Sequence, residues 1–226
     1  MIEPLPESTW TAPRPDCPHP ERWHAVDVLS TEREVSELVG SLVGALRPDL
    51  VVETGTHHGW TSVAIGRALA DAGVGRLVTL EVDTTCVSTA RERCVGLPVE
   101  VVEMSSLDYV PDGPIDVLWL DSLIDLRVPE YLHLLPWLSD RSVVGFHDTG
   151  PQHPPSLLCE LDLLVDAEMI EPPLYLPTPR GVAFARPTTT ALAVARAEHQ
   201  EMTRMRSAQA PGFSRGVSAS TRTVAC

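Results

Sequence analysis

Short apolar runs that end in acidic residues recur through the middle of this chain. Four of them are Leu50–Glu53, Arg76–Asp83, Ile115–Asp121 and Val143–Thr149, the last with Asp148 near its end. Each run has the length of a buried strand, and the segments between them space their apolar residues as helices do. Strands that alternate with helices in this way predict a parallel, doubly wound α/β sheet.

The same patterning predicts the remaining elements. Ser30 and Thr31 are expected to cap the first helix, because short hydroxyl side chains favour that position. Two runs, residues 168–176 and 181–185, flank Pro177–Gly181 and predict an antiparallel hairpin. The other predicted elements are helices over about residues 32–47, 61–70, 84–95, 127–138, 157–166 and 190–206, and a strand at Val99–Glu103. Together these predict a mostly parallel sheet of seven strands with a C-terminal antiparallel hairpin.

The alternating pattern is confined to residues 29–187, which we interpret as one domain. Residues 1–28 are rich in proline and tryptophan and predict an irregular arm over that domain, or alternatively a lid over a substrate pocket. Residues 188–226 predict a helix followed by a disordered tail of small and polar residues.

Charge and composition narrow the range of partners. The 226 residues carry a net charge of −14, which argues against nucleic acid because phosphate contacts require basic patches. No apolar run approaches the roughly 18 residues of a membrane span, and the first residues lack a secretory signal, so we expect a cytoplasmic protein. The five cysteines contain no C-x-x-C pair and predict reduced thiols, not a zinc site. A small-molecule substrate is favoured, and a homo-oligomer is left open.

The run Leu50–Glu53 leads into a turn with glycines at Gly55 and Gly59 and then into a helix. Glycines let a ligand approach bare backbone at a helix N-terminus, so Gly55, Thr56, Gly59 and Thr61 are candidate cofactor contacts. The spacing is not the G-x-G-x-x-G of dinucleotide sites, and a carboxylate stands at its first position. A carboxylate suits a cationic ligand and fits poorly beside a pyrophosphate, which favours S-adenosylmethionine.

Acids at the ends of successive strands predict where the ligand lies. Glu53, Glu81, Asp121 and Asp148 all fall at carboxyl ends of predicted strands, where doubly wound sheets bind ligands, so we expect them to converge on one cleft. Glu81 is placed to accept hydrogen bonds from ribose hydroxyls, with Asp83 as second choice. The alternative is that each is a solvated acid at a strand end.

Four pieces together resemble the small class I methyltransferases, the group that includes catechol O-methyltransferase and a family with a His-Asp pair after its fifth strand. The pieces are the E-x-G-x-x-x-G run from Glu53, Leu80–Asp83, Trp119–Asp121 and Gly145–Thr149. The resemblance covers about residues 31–186. It implies a Rossmann-like methyltransferase fold and methyl transfer from S-adenosylmethionine to a hydroxyl of a small molecule. The cofactor contacts that it implies are Glu53, Gly55, Gly59, Glu81, Ser105, Ser106 and Asp121, with the Ser105–Ser106 turn beside the adenine.

The resemblance also raises the question of a metal. In metal-dependent members, acids at the ends of the fourth and fifth strands hold a divalent cation, and these map to Asp121 and Asp148. Hard oxygen ligands suit Mg²⁺, which would lower the pKa of a bound hydroxyl. No third ligand is evident, so Mg²⁺ assistance is left open.

The chain departs from the family where a base is expected. Ile124 stands where the catechol enzymes have a lysine and the His-Asp group often has a histidine, and Thr149 replaces an asparagine. The sequence contains no lysine and no asparagine at all. His147 and Asp121 are therefore the candidate catalytic residues. The alternative for His147 is that it positions another residue of the site and does not act on the substrate itself.

Two alternatives to catalysis by methyl transfer stay open at this point. The missing family base is compatible with a relative that binds the cofactor without turning it over. A nicotinamide-dependent oxidoreductase is a further alternative, which the glycine spacing disfavours. His57 and His58 are interpreted as loop side chains around backbone contacts and not as catalytic groups.

Overall fold

The computed structural model describes residues 13–150 and 157–209 and contains one seven-stranded sheet. The strand order is β3-β2-β1-β4-β5-β7-β6, and β1 to β5 are parallel. The strands are β1 Leu50–Thr54, β2 Arg76–Glu81, β3 Val99–Glu103, β4 Ile115–Leu120, β5 Leu138–His147, β6 Leu174–Leu176 and β7 Val182–Ala185. This architecture confirms the predicted α/β fold with its antiparallel end.

Helices cover both faces of the sheet. They are α1 Arg33–Leu46, α2 Trp60–Ala72, α3 Thr84–Arg93, α4 Arg127–Leu134, α5 Leu157–Asp166 and α6 Thr189–Gln209. Alternate residues of the central strands divide between two cores. Val51 and Val117 pack with α1 and α2 on one face, whereas Val52 and Leu118 pack with α4, α5 and α6 on the other. Both faces are buried, as a parallel sheet requires.

The C-terminal hairpin brings its turn to the same edge of the sheet as the ends of the parallel strands. β7 runs antiparallel to β5, with His147 opposite Val182. In the connecting turn Gly181 has a φ of 84°, and a Cβ there would lie 2.7 Å from the backbone nitrogen of Gly150. The hairpin therefore places Arg180 beside the residues that follow β5.

Two predicted boundaries were wrong. The helix expected over 127–138 ends at Leu134 and is followed by a 3-10 turn, Leu135–Trp137, because Pro136 lacks the backbone donor that an α-helix needs. Residues 139–142, expected as a turn, belong to β5.

The expected N-cap was also misplaced. α1 has Glu32 at its N-cap position with no side-chain capping bond, and the hydroxyls of Ser30 and Thr31 bind other acids, Asp27 and Asp121. The disordered tail was expected after Arg206, but α6 continues to Gln209, and the rest of that predicted tail lies outside the described residues. Within the described residues, no helix is long and apolar enough to cross a membrane.

Candidate active site

A narrow cleft, with an enclosed volume of about 30 Å³, lies where the carboxyl ends of β1 and β4 meet the segment before α1. The cleft is lined by Leu29, Ser30, Thr31, Gly55, Thr56, His57, His58, Trp60, Thr61 and Asp121. Its position matches the edge at which doubly wound sheets bind ligands.

The glycine loop has the geometry that the sequence predicts. Gly55 and Gly59 have φ values of 78° and 77°, in the left-handed region that favours glycine. A Cβ on Gly55 would lie 2.4 Å from the carbonyl oxygen of Asp121, so the loop after β1 presses directly against the end of β4. Gly59 begins α2, whose first residues Trp60 and Thr61 line the cleft.

Glu53 lies beneath this loop and not in the open cleft. Its buried carboxylate accepts hydrogen bonds from the hydroxyls of Ser62 and, at 2.6 Å, Thr79. Burial raises the pKa of Glu53 to about 7, and the two hydroxyl donors oppose the shift. Direct contact between Glu53 and a cofactor stays a prediction.

Glu81 supports the loop from the β2 side. Its carboxylate accepts hydrogen bonds from the backbone nitrogens of His57 at 2.7 Å, Val82 at 2.8 Å and Asp83 at 3.0 Å. The second choice for the ribose acid, Asp83, caps α3 by accepting from the backbone nitrogens of Thr85 and Cys86. Glu81 is therefore hydrogen-bonded to the glycine loop, which was predicted to bind the cofactor together with it.

The predicted hydroxyl contacts are bonded within the protein. Thr56 Oγ1 lies 2.6 Å from Thr79 Oγ1, and Thr61 Oγ1 lies 3.0 Å from Ser36 Oγ. Thr56 and Thr61 still line the cleft through their remaining atoms.

The serine turn after β3 is likewise engaged. Ser106 donates to Glu130 at 2.5 Å, and Ser105 Oγ accepts from the backbone nitrogen of Leu107. The structure thus places both serines at the exit of β3, and their contact with an adenine ring stays a prediction.

Asp121 lies at the end of β4, and its carboxylate lines the cleft. It accepts hydrogen bonds from Thr31 Oγ1, from His147 Nδ1 at 2.8 Å and from Arg127 Nη2 at 3.3 Å, and its side chain is 12% exposed. Burial alone would raise the pKa of Asp121, but the charges of His147 and Arg127 outweigh it and lower the pKa. Asp121 is therefore ionised at neutral pH.

His147, at the end of β5, is fully buried between two carboxylates. Its Nε2 lies 2.6 Å from Glu32 and its Nδ1 lies 2.8 Å from Asp121. Burial opposes the charge, but the neighbouring acids Asp121, Asp148 and Glu32 raise the pKa of His147 to about 10. An imidazole that donates from both nitrogens has no lone pair for a substrate proton. This geometry fits the supporting role and not that of a general base.

Asp148 is buried on the far side of Asp121 and is bound by two arginines. Arg127 Nη2 lies 2.7 Å from Oδ2, while Arg180 lies 2.9 Å from Oδ2 through Nη2 and 2.5 Å from Oδ1 through Nε. The pKa of Asp148 is lowered, because His147, Arg127 and Arg180 outweigh its burial. Asp121, His147 and Asp148 bring potential ligand atoms within 4.8 Å of one another.

That proximity does not make a fit for a divalent cation. Mg²⁺ prefers near-octahedral oxygen ligands and retains several waters. The oxygens of Asp148 instead face guanidinium nitrogens, and the nitrogens of His147 are hydrogen-bonded to acids. The residues present therefore do not fit the expected Mg²⁺.

Sequence reasoning missed Glu32, Arg127 and Arg180, which complete this cluster. Arg127 is the first residue of α4 after β4, and Arg180 stands in the proline-rich turn of the hairpin. Both arginines pair with Asp148, which was already predicted to lie at a strand end. Two strand-end acids, Asp121 and Asp148, with His147 as the one predicted cation nearby were the signal that could have pointed to the arginines.

Two histidines of the loop and a cysteine of α3 form a second group. His57 Nδ1 lies 3.4 Å from Ser30 Oγ, and His58 Nδ1 lies 3.6 Å from Asp27. Together with Cys86 they bring possible ligand atoms within 4.8 Å of one another. Both histidines line the cleft, and their interpretation as loop side chains without a catalytic role stays a prediction.

The family comparison can now be set beside the fold and the site. A sheet of this order, a glycine loop after β1 and an acid at the end of β2 are features that class I methyltransferases share. Residues 52–149 match a family model described as a methyltransferase domain. The resemblance inferred from the sequence motifs is thus confirmed.

Solved structures of similar fold include methyltransferases with the cofactor or its product bound. The O-methyltransferase TomG of Streptomyces achromogenes, in complex with SAM, is 22% identical, with a TM-score of 0.59 over 71% of this chain and 82% of its own. The SAH-bound methyltransferase PaMTH1 of Podospora anserina is 16% identical, with a TM-score of 0.64 over 82% and 90%. An O-methyltransferase of Bacillus cereus, in complex with SAH, is 16% identical, with a TM-score of 0.61 over 71% and 83%. No curated protein matches the sequence.

Proposed function

We propose that this chain methylates a hydroxyl oxygen of a small molecule. The observation that carries the proposal is the place of Asp121, an ionised carboxylate that lines the cleft between the glycine loop and the segment before α1. The net charge of −14 further favours a small molecule over nucleic acid. The O-methyltransferases TomG and the Bacillus cereus enzyme, with their similar folds, support oxygen as the acceptor.

S-adenosylmethionine, when bound, supplies a methyl group on a positively charged sulfur. Asp121 then has two tasks that its surroundings suit. Its negative charge stabilises a cationic ligand in the cleft, and its oxygen accepts the proton that the substrate hydroxyl loses as the new O–CH₃ bond forms. A hydroxyl oxygen that gains a methyl group becomes an oxonium, whose proton is strongly acidic, so a carboxylate of low pKa suffices as acceptor.

His147 and Glu32 orient Asp121 in this proposal. The imidazolium donates to both carboxylates and so fixes the direction of the Asp121 oxygens, as a buried orienting group does in other proton-transfer sites. We therefore assign proton acceptance to Asp121 and positioning to His147. No step passes through Mg²⁺, because the residues present do not fit it.

Several earlier expectations belong with this proposal. Glu53, Gly55, Thr56, Gly59, Thr61, Glu81, Ser105 and Ser106 stay the predicted surroundings of the cofactor. The segment Leu29–Thr31 lines the cleft, and an arm or lid formed by residues 1–28 stays a prediction. Cytoplasmic location and a homo-oligomer stay predictions.

Substitution of Asp121 tests the proposal. We would first measure S-adenosylhomocysteine binding by calorimetry and then its formation with a panel of phenols, sugars and polyketide alcohols. With the best acceptor, D121N is expected to lower kcat by about a hundredfold to ten-thousandfold, because the proton acceptor is lost. D162N, at an exposed acid on α5, is the matched control and should leave kcat unchanged.

Three outcomes would contradict the proposal. Binding without turnover across the panel would favour the cofactor-binding relative. Binding of NAD(H) in place of S-adenosylhomocysteine would favour the oxidoreductase. Full activity of D121N would place proton acceptance on another residue.

A further inference from the structure

The acids that a metal would need are already matched by cations of the protein itself. Glu32, Asp121 and Asp148 supply three carboxylates, and Arg127, Arg180 and the doubly hydrogen-bonded His147 supply three positive groups. A divalent ion added to this balanced cluster would leave an uncompensated positive charge in a buried place. Such charge is costly in a protein interior.

The two guanidiniums are fixed by contacts that do not involve the acids. Arg127 donates to the carbonyl of Ser122 through Nε at 3.1 Å and Nη2 at 2.8 Å, and to the carbonyl of His147 through Nη1. Arg180 donates through Nη1 to the carbonyl of Ser30 at 3.1 Å. These backbone contacts fix the position of both guanidinium groups. The ion pairs of the two arginines with Asp148 therefore differ from those of mobile surface side chains.

Burial also blocks the access of a hydrated metal ion to Asp148. The side chains of Arg127 and Asp148 are 1% and 3% exposed, and that of Arg180 is 17% exposed. A hydrated Mg²⁺ reaching Asp148 would have to displace a guanidinium and its backbone bonds. Only the face of Asp121 toward the cleft is open, and one carboxylate does not make a magnesium site.

We propose that Arg127 and Arg180 take the place of a divalent cation at the ends of β4 and β5, so that this chain binds no metal between Asp121 and Asp148. The arginines are positioning residues: they neutralise Asp148 and hold Asp121 and His147 in their present arrangement. The link of this proposal to catalysis rests on the proposed function. In that function Asp121 accepts the proton beside the cations of the protein and without a metal.

Mn²⁺ titration followed by electron paramagnetic resonance tests this on the full chain, because the signal of free Mn²⁺ falls on binding. We expect the wild type to bind no stoichiometric Mn²⁺ at this cluster. R180M removes the more accessible guanidinium and should bind one Mn²⁺ at least about tenfold more tightly than the wild type, since an unpaired buried acid attracts a cation. R33M, at an exposed arginine that pairs with the exposed Glu37, is the matched control and should gain nothing.

The variant D148N provides a test that does not depend on the folding of R180M. If the wild type binds one Mn²⁺ and D148N abolishes that binding, the proposal is overturned, whether or not R180M folds. If R180M folds and gains no site, the proposal is also overturned. Calorimetry of S-adenosylhomocysteine with EDTA present separates the two ideas: failure to bind would count against the proposed function and leave the Mn²⁺ result unaffected.

Discussion

Acids at neighbouring strand ends meet opposite surroundings in this molecule. At the end of β1, Glu53 is buried among hydroxyl groups and has no cationic partner in its hydrogen-bond set, so burial raises its pKa to about 7. At the ends of β4 and β5, Asp148 is as deeply buried and Asp121 is only slightly exposed, but both face guanidinium and imidazolium groups, which lower their pKa values. The comparison shows that the partner, and not burial alone, decides whether a buried acid carries charge.

Glu130 extends the hydroxyl-bonded region. Its buried carboxylate accepts from Thr54 at 2.8 Å, Ser106 at 2.5 Å and Ser122 at 2.7 Å, and burial raises its pKa. One side of the site thus holds acids that gain a proton easily, and the other holds acids that keep their charge. Environments that separate the pKa values of like groups are a common feature of active sites.

Removal of Arg127 should have the largest effect, because it breaks the charged region at its most buried arginine. R127M leaves Asp148 and Asp121 short of a counterion and is expected to lower the free energy of unfolding by about 3–5 kcal/mol. Urea unfolding followed by circular dichroism measures this. R33M, at the exposed pair with Glu37, should cost less than about 1 kcal/mol. Equal losses of unfolding free energy in the two variants would show that the buried cluster stabilises the fold no more than an exposed ion pair does.

Changing Glu53 should have a smaller, pH-dependent effect. Its pKa is higher in the folded chain than in the unfolded one, so the folded state binds more protons between about pH 4.5 and 7 and wild-type stability falls as pH rises through that window. Ionisation there costs roughly 2–3 kcal/mol. E53Q has no such charge and should therefore gain stability relative to wild type between pH 5 and pH 8.

Urea unfolding of E53Q and wild type at the two pH values checks this. E171Q, at an exposed acid, is the control and should follow the wild-type pH dependence. Parallel curves for E53Q and wild type would mean that Glu53 is ionised in the folded chain, and the contrast between the two regions would disappear.

The smallest expected effect concerns the link between the segment before α1 and the charged region. Thr31 donates its hydroxyl hydrogen bond to Asp121 and is nearly buried. T31V keeps the shape and removes the donor, so the free energy of unfolding should fall by about 0.5–1.5 kcal/mol. T203V, at an exposed threonine of α6, should change it by a few tenths at most. If T31V and T203V change the free energy of unfolding equally, the hydrogen bond from Thr31 to Asp121 does not stabilise the site.

Much of this architecture could be predicted from local pattern. The strands, the glycine loop and the hairpin follow from short-range signals, such as period, glycine and proline, which act through neighbouring residues. Gly55 illustrates this, since its left-handed backbone and close approach to β4 agree with the loop motif. The elements that were misjudged, Leu135–Trp137 and the start of β5, lie where a proline breaks one pattern before the next begins.

The sequence by itself determined the fold class, the strand ends that carry acids and the cofactor class. Only the tertiary structure decided what each acid does. The reason is that charge compensation depends on groups far apart in the chain: Asp148 meets Arg127 and Arg180, and His147 meets Glu32, a residue 115 positions away. Local spacing cannot report such pairings, because they arise from how the α4 terminus, the hairpin turn and the segment before α1 pack onto one edge of the sheet.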